Sequence, residues 1–332
     1  VGFDVTVDDA GEAYGGDFGN IYGILRGDSS KKPVLFCAHL DTVSPGENIQ
    51  PIIKENMVCT DGSTILGADD KCGIAAILEA VESIVENGSP HGDIEVLFTI
   101  GEEIGMLGSK HFDTSMIKSK MAFVMDSSGK VGEVIVKAPT QCTMNITING
   151  KSAHAGVAPE KGISAIQVAA EAICNMKLLR IDSETTANIG TICGGKVTNI
   201  VCDKVVLKAE SRSLKEDKLF TQVNHMEECI KQACLKYNAN YTFDKTIEYP
   251  PFEISPDSEI IRLLQAAMDR IGLNIKLRPS GGGFDANILN GKGIQAVVLA
   301  CGMFNAHTSE EYLILDDLYK AAELVREIIL IS

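Results

Sequence analysis

No apolar run in this 332-residue chain approaches the roughly 18 residues that span a bilayer, so no transmembrane helix is expected. No charged-then-apolar leader stands at its front, and it opens on Val1-Gly2-Phe3 without a methionine, which suggests that a preceding segment is missing. Clusters of Lys and Arg are also lacking, and the formal net charge is -15. Nucleic acid and an anionic membrane surface are therefore excluded as expected partners, because both are gripped by clustered cations. The ten cysteines (37, 59, 72, 142, 174, 193, 202, 229, 234 and 301) form no C-x-x-C pair. Neither a disulfide framework nor a thiolate zinc site is indicated, and reduced thiols in a cytoplasmic protein fit best. There is no internal repeat and no low-complexity tract.

The chain has length and a patterned core. At roughly 100–200 residues per domain it favours two domains, and its 45% apolar share is ordinary for a globular protein. Strands alternate with helices, which points to a layered α/β domain. Residues 33–38, 93–100 and 121–125 read as buried strands, carrying runs such as Val34-Leu35-Phe36 and Val96-Leu97-Phe98. A helix is expected from about Asp70 to Asn87, with Ile74, Ile77, Leu78, Val81, Ile84 and Val85 at helical spacing and Gly88 just past its end. From about residue 138 the texture changes: Met144, Ile146 and Ile148 alternate with Thr143, Asn145 and Thr147, the period of a strand with one wet face. Further elements are expected near 162–179, 187–192, 204–209, 214–237 and 241–247, and Tyr249-Pro250-Pro251 reads as a linker. Patterns of the first kind then return, ending in a helix from Asp316 with Leu318, Ala321, Ala322, Val325 and Ile329 on one face. The organisation is one domain of residues 1–137 and 250–332, split by an insert of residues 138–249.

Five side chains of metal-binding type, His39, Asp69, Glu103, Asp126 and His307, each fall where an apolar run stops. Ligand crevices of open α/β sheets lie at the carboxyl ends of strands, and His39, Glu103 and Asp126 are expected one to three residues beyond such strands. Asp69 stands before a helix, where the dipole favours a carboxylate, and His307 follows the run Ala296–Ala300. Imidazole and carboxylate are suitable zinc ligands. Two histidines and three carboxylates exceed what one tetrahedral catalytic ion with an open position needs, and suffice for two ions roughly 3.5–4 Å apart that share a carboxylate. Taken singly, Asp41, Asp70 or Glu102 reads as a solvated loop carboxylate; the ordered set does not. His91, His111 and His225 have no motif around them.

The texts His39-Leu40-Asp41, Gly67-Ala68-Asp69-Asp70-Lys71, Gly101-Glu102-Glu103, Met125-Asp126-Ser127-Ser128 and Ala306-His307-Thr308-Ser309-Glu310 together resemble the aminoacylase, carboxypeptidase and peptidase T superfamily of co-catalytic zinc metallopeptidases. The peptidase T-like branch is the most similar. The resemblance implies a zinc-exopeptidase-like catalytic domain, a mixed sheet flanked by helices, with an inserted α+β lid and dimerisation domain. It implies two Zn2+ per subunit (Co2+ or Mn2+ suit the same ligands), with Asp69 bridging, His39 and Asp126 on one ion and Glu103 and His307 on the other. Asp41 would orient His39 from behind, Glu102 would be the general base toward a metal-activated water, and the Asp69–Asp70 peptide would be cis. In the insert, Gly150-Lys151-Ser152-Ala153-His154-Ala155-Gly156 is similar to the family text whose histidine, here His154, stabilises the oxyanion, often in the partner subunit of a homodimer. Asn199 and Arg212 stand where such proteins grip substrate, although Arg212 has Glu210 and Glu216 as nearby partners. Gly283 belongs to a glycine-rich loop that lets the backbone approach substrate. Here the chain departs from peptidase T, which has an arginine just ahead of its glycine pair. This sequence has Pro279-Ser280 there, with Arg278 further back, so tripeptide specificity does not follow. The implied activity is exopeptidase cleavage of short peptides. An aminoacylase or deacetylase acting on N-acyl amino acids, and a non-catalytic peptide-binding relative, remain open alternatives.

Overall fold

The computed structural model describes all residues, 1–332. The chain divides into two compact units, Val1–Ala138 with Phe252–Ser332, and Pro139–Pro251. No helix is long and apolar enough to cross a membrane.

The first unit is built on a nine-stranded mixed sheet. At its centre the strands Ile94–Thr99, Val34–His39, Met121–Ser127 and Gln295–Ala300 run parallel, buried on both faces. This is why their sequences read as unbroken apolar runs. The helices Ala68–Glu86 and Leu315–Ile331 pack against each other, and the first also packs on the central strands. Leu35, Phe36, Ile77, Ile84, Leu97 and Phe123 form the middle of this core. The amphipathic patterns expected from about Asp70 and from Asp316 correspond to these two helices.

Two ligand-type residues lie within strands instead of beyond them. His39 is the last residue of its strand, in register with Thr99, and Asp126 lies inside Met121–Ser127 because pairing continues to Ser127 opposite Ala300. A second, four-stranded sheet joins Met303–Phe304, Tyr312–Ile314, Met57–Cys59 and Ile52–Lys54. Its first two strands form a hairpin that carries His307 at its turn, with φ 66°. These strands of two or three residues are too short to show a period.

The second unit is a five-stranded antiparallel sheet in the order Leu179–Arg180, Thr185–Gly194, Lys204–Ser213, Thr140–Asn149, Asn240–Tyr249. Helices Ala165–Asn175 and Glu216–Tyr237 close over Met144, Ile146, Ile148, Val205 and Leu207. The alternation read from residue 138 onward is this half-buried face.

Candidate active site

The central strands deliver His39 and Asp126 side by side, while Asp69 arrives from the start of the helix. Residues Asp69 and Asp70 there keep non-helical backbone angles, and the peptide between them is cis. Glu102 and Glu103 lie in the turn after Ile94–Thr99, entered through Gly101 at φ 60°. The Asp41 carboxylate fixes that turn by accepting the Glu102 and Glu103 amides, both at 3.1 Å. So employed, it lies 3.7 Å from His39 Nδ1, and the shorter contact of that nitrogen is the Asp41 main-chain oxygen at 2.9 Å. A carbonyl only accepts, so the proton of a neutral His39 stands on Nδ1 and Nε2 presents a lone pair.

That lone pair faces Asp69 Oδ1 at 3.1 Å and Asp126 Oδ1 at 3.8 Å. The other Asp69 oxygen lies 3.2 Å from His307 Nε2, which is itself 3.0 Å from Glu103 Oε1. Two groups of three result, His39 with Asp69 and Asp126, and Glu103 with Asp69 and His307; within each, the ligand atoms lie within 4.8 Å of one another. Asp69 belongs to both. Glu103 Oε1 is buried, with the His307 imidazole nitrogen as its near polar neighbour. Imidazole nitrogens and carboxylate oxygens converging this closely are the donor set a cation requires, and their mixture suits a divalent one. The residues therefore fit a pair of such ions.

Electrostatics agree. Burial disfavours charge on His39, but Asp41 and Asp69, with Asp126 and Asp70 behind them, outweigh it and hold the imidazole well above its ordinary range. Burial pushes Asp126 up, and the negative Asp69 adds to the rise. Hydrogen bonds to Asp69 and Glu103 push His307 up to about 10. Without cations, this cage holds protons in their place. Burial likewise raises Glu102 well above the usual carboxylate range, reinforced by Asp285.

Around the cage runs a cleft of ≈ 280 Å³, lined by Glu102, Ser127, Ser128, Arg278, Gly283 and Phe284 among others. A larger groove of ≈ 660 Å³ beside Ala76, Ala80 and Leu318 carries none of this chemistry. Arg278 Nη2 donates to Ser127 Oγ at 3.1 Å and to the Ser128 carbonyl at 2.7 Å, with Nε 2.8 Å from Glu133. Gly283 thus sits at the cleft wall, with Arg278 beside it.

The remaining candidates belong to the second unit. His154 is exposed, bridges Ile200 through the backbone and accepts the Gly156 amide on Nδ1. Asn199 is exposed, its carbonyl accepting the Ala155 amide. Arg212 is half-buried and pairs with Glu210 through two hydrogen bonds of 3.1 Å. Read singly, Asp70 looks like a solvated loop carboxylate, and Asp285 and Glu311 receive no role from the sequence; all three are buried acids. Asp70 accepts the His39 amide at 3.2 Å, and Asp285 accepts Thr99 Oγ1 at 2.5 Å. Asp70 lies within a quoted motif, Glu311 directly follows another, and Asp285 stands two residues past Gly283.

The crystal structure of aminopeptidase PepT from Bacillus cereus is 44% identical, with a TM-score of 0.91, covering 98% of this chain and 88% of that one. A tripeptidase from Staphylococcus aureus is 37% identical with a TM-score of 0.95, covering 99% and 88%. Peptidase T of Listeria welshimeri is 28% identical over 98% of this chain and 86% of its own length. A sequence profile for Peptidase family M20/M25/M40 matches residues 35–331, and the chain accordingly belongs to that family as a peptidase T-like metallopeptidase.

Proposed function

We propose that this chain is a two-zinc exopeptidase acting on short peptides. The observation that carries the reading is Asp69, whose two oxygens face two histidines and so serve two ligand groups, with Glu102 beside them in the same cleft. When bound, the two cations supply Lewis acidity to the scissile carbonyl and make water a better nucleophile near neutral pH. Glu102 takes the proton of the attacking water and returns it to the leaving amine, a task suited to a carboxyl whose affinity for protons has been raised. Asp41 holds Glu102 and Glu103 in place through their amides and keeps the His39 tautomer through its carbonyl. The names of the Bacillus and Staphylococcus relatives support an aminopeptidase or tripeptidase specificity. Gly283 leaves the cleft wall open to a peptide backbone, and Asn199 and Arg212 are assigned to substrate grip on resemblance alone. His154 is assigned the oxyanion contact on the same footing.

A homodimer fits the second unit, where Thr185–Gly194 has no outer partner beyond Ala187 and exposes Ile192. Ten free cysteines fit a reducing cytoplasm.

The test is hydrolysis of di- and tripeptides and of N-acetyl amino acids, with chelator and with zinc restored. Peptide cleavage is expected to vanish with chelator and return with zinc. Glu102→Gln is expected to lower kcat by about 10²–10⁴-fold while retaining two zinc ions, and His154→Ala by about 10²–10³-fold. Cleavage of N-acetyl amino acids alone would convert the reading to an aminoacylase. Zinc binding without any turnover would convert it to a binding protein.

A further inference from the structure

Glu311 lies four residues beyond His307 on the same hairpin, is 2% exposed, and serves neither ligand group. Its carboxylate is spent on main-chain amides: Oε2 accepts Leu66 at 2.8 Å and Gly67 at 2.7 Å, and Oε1 accepts Asp69 at 3.0 Å. These amides stand at the start of a helix, where no intrahelical acceptor exists. The helix cannot itself fix Asp69, because Asp69 and Asp70 depart from helical angles and Gly67 is left-handed at φ 67°. Yet Asp69 is the side chain that must stand between His39 and His307.

We propose that Glu311 is a positioning residue for the cation pair: it sets the main chain of residues 66–69 so that the Asp69 carboxylate is aimed at both ligand groups before any ion arrives. The inference rests on reading His39, Asp69, Glu103, Asp126 and His307 as cation ligands. Three charge-assisted hydrogen bonds hold the segment, and a carboxylate is favoured at a helix start. The same bonds tie Asp69 to the hairpin of His307, whose strands pair Met303 with Leu313 and Phe304 with Tyr312. The ligand shared by both groups and one ligand of the second are thereby set by a single side chain. A buried acid used only to complete a helix start would have no reason to affect cation affinity.

Glutamine at this position keeps size and one accepting oxygen, but turns an NH2 toward at least one amide donor. Metal-free wild type, Glu311→Gln and the exposed neighbour variant Glu310→Gln are titrated with zinc by calorimetry, with stoichiometry and melting temperature recorded. Glu311→Gln is expected to bind zinc 10–100-fold more weakly, as outer partners of metal ligands typically do, with Glu310→Gln unchanged. Wild-type zinc affinity in a folded Glu311→Gln protein, whatever its melting temperature, would reduce Glu311 to a structural cap and overturn the proposal. Wild type that binds no zinc instead sinks the ligand assignment itself. Amide exchange on wild type covers a variant that does not fold: residues 66–69 are expected to be protected in the metal-free protein as well as the loaded one. Protection that arises only on adding zinc would mean that the ion orders the segment, and overturns the proposal.

Discussion

His307 links the geometry of the cage to a proton balance. In the metal-free protein its Nε2 sits between Asp69 and Glu103, whose hydrogen bonds push it up to about 10 from 6.5, so it is an imidazolium at neutral pH. A raised histidine adds stability that is complete below 6.5 and is lost as pH rises through about 10. A cation needs the neutral ring, so binding near neutral pH must expel that proton. Zinc titration in two buffers of different ionisation enthalpy is expected to report net proton release of about one or more per protein at about pH 7.5. His307→Ala is expected to release less. Heats that do not depend on the buffer would show that the ring is already neutral and that the carboxylates do not govern it.

How the helix Ala68–Glu86 meets the strand Met121–Ser127 decides whether Asp69 and Asp126 can face the same imidazole. Gly73 makes that approach possible: a Cβ there would stand 2.5 Å from Asp70 Oδ1 and 2.6 Å from the Met125 carbonyl, the residue before Asp126. Gly73→Ala is expected to push helix from strand, costing about 1–3 kcal/mol in denaturant unfolding and weakening zinc binding although no ligand is changed. Unaltered stability and zinc content would mean that the contact is not tight. None of this was legible in the sequence, where Gly73 is one glycine inside an apolar helical pattern. What was legible had a period or a motif: the central strands through their apolar runs, the two long helices through their stripes, and the five ligand-type residues through their order along the chain. The short strands around His307 had neither. Asp285 and Glu311 look like solvated loop acids until Thr99 and the 66–69 amides are found against them, contacts made across more than 180 residues of chain.

Each of the two units carries its own buried core, one around Leu35, Phe36, Ile77 and Phe123, the other around Met144, Ile146, Val168 and Leu207. All five ligand-type residues belong to the first unit, although that unit is assembled from both ends of the chain. An ion that binds a folded state and not the unfolded one stabilises only the cooperative block that contains its ligands. Zinc at one hundred times its dissociation constant stabilises that block by about 2.7 kcal/mol. For a block of this size the shift is about 2–4 °C per kcal/mol. Calorimetric scans of metal-free and zinc-loaded protein are therefore expected to show two transitions, of which one rises by roughly 5–10 °C with zinc and the other stays in place. The stationary transition is assigned by Ile146→Ala, which removes buried side-chain volume from the second core alone and is expected to lower that transition only. A single transition that moves as a whole with both zinc and Ile146→Ala would mean that the two cores melt together, and the division of labour between a metal-binding unit and an inserted one would then not extend to their stability.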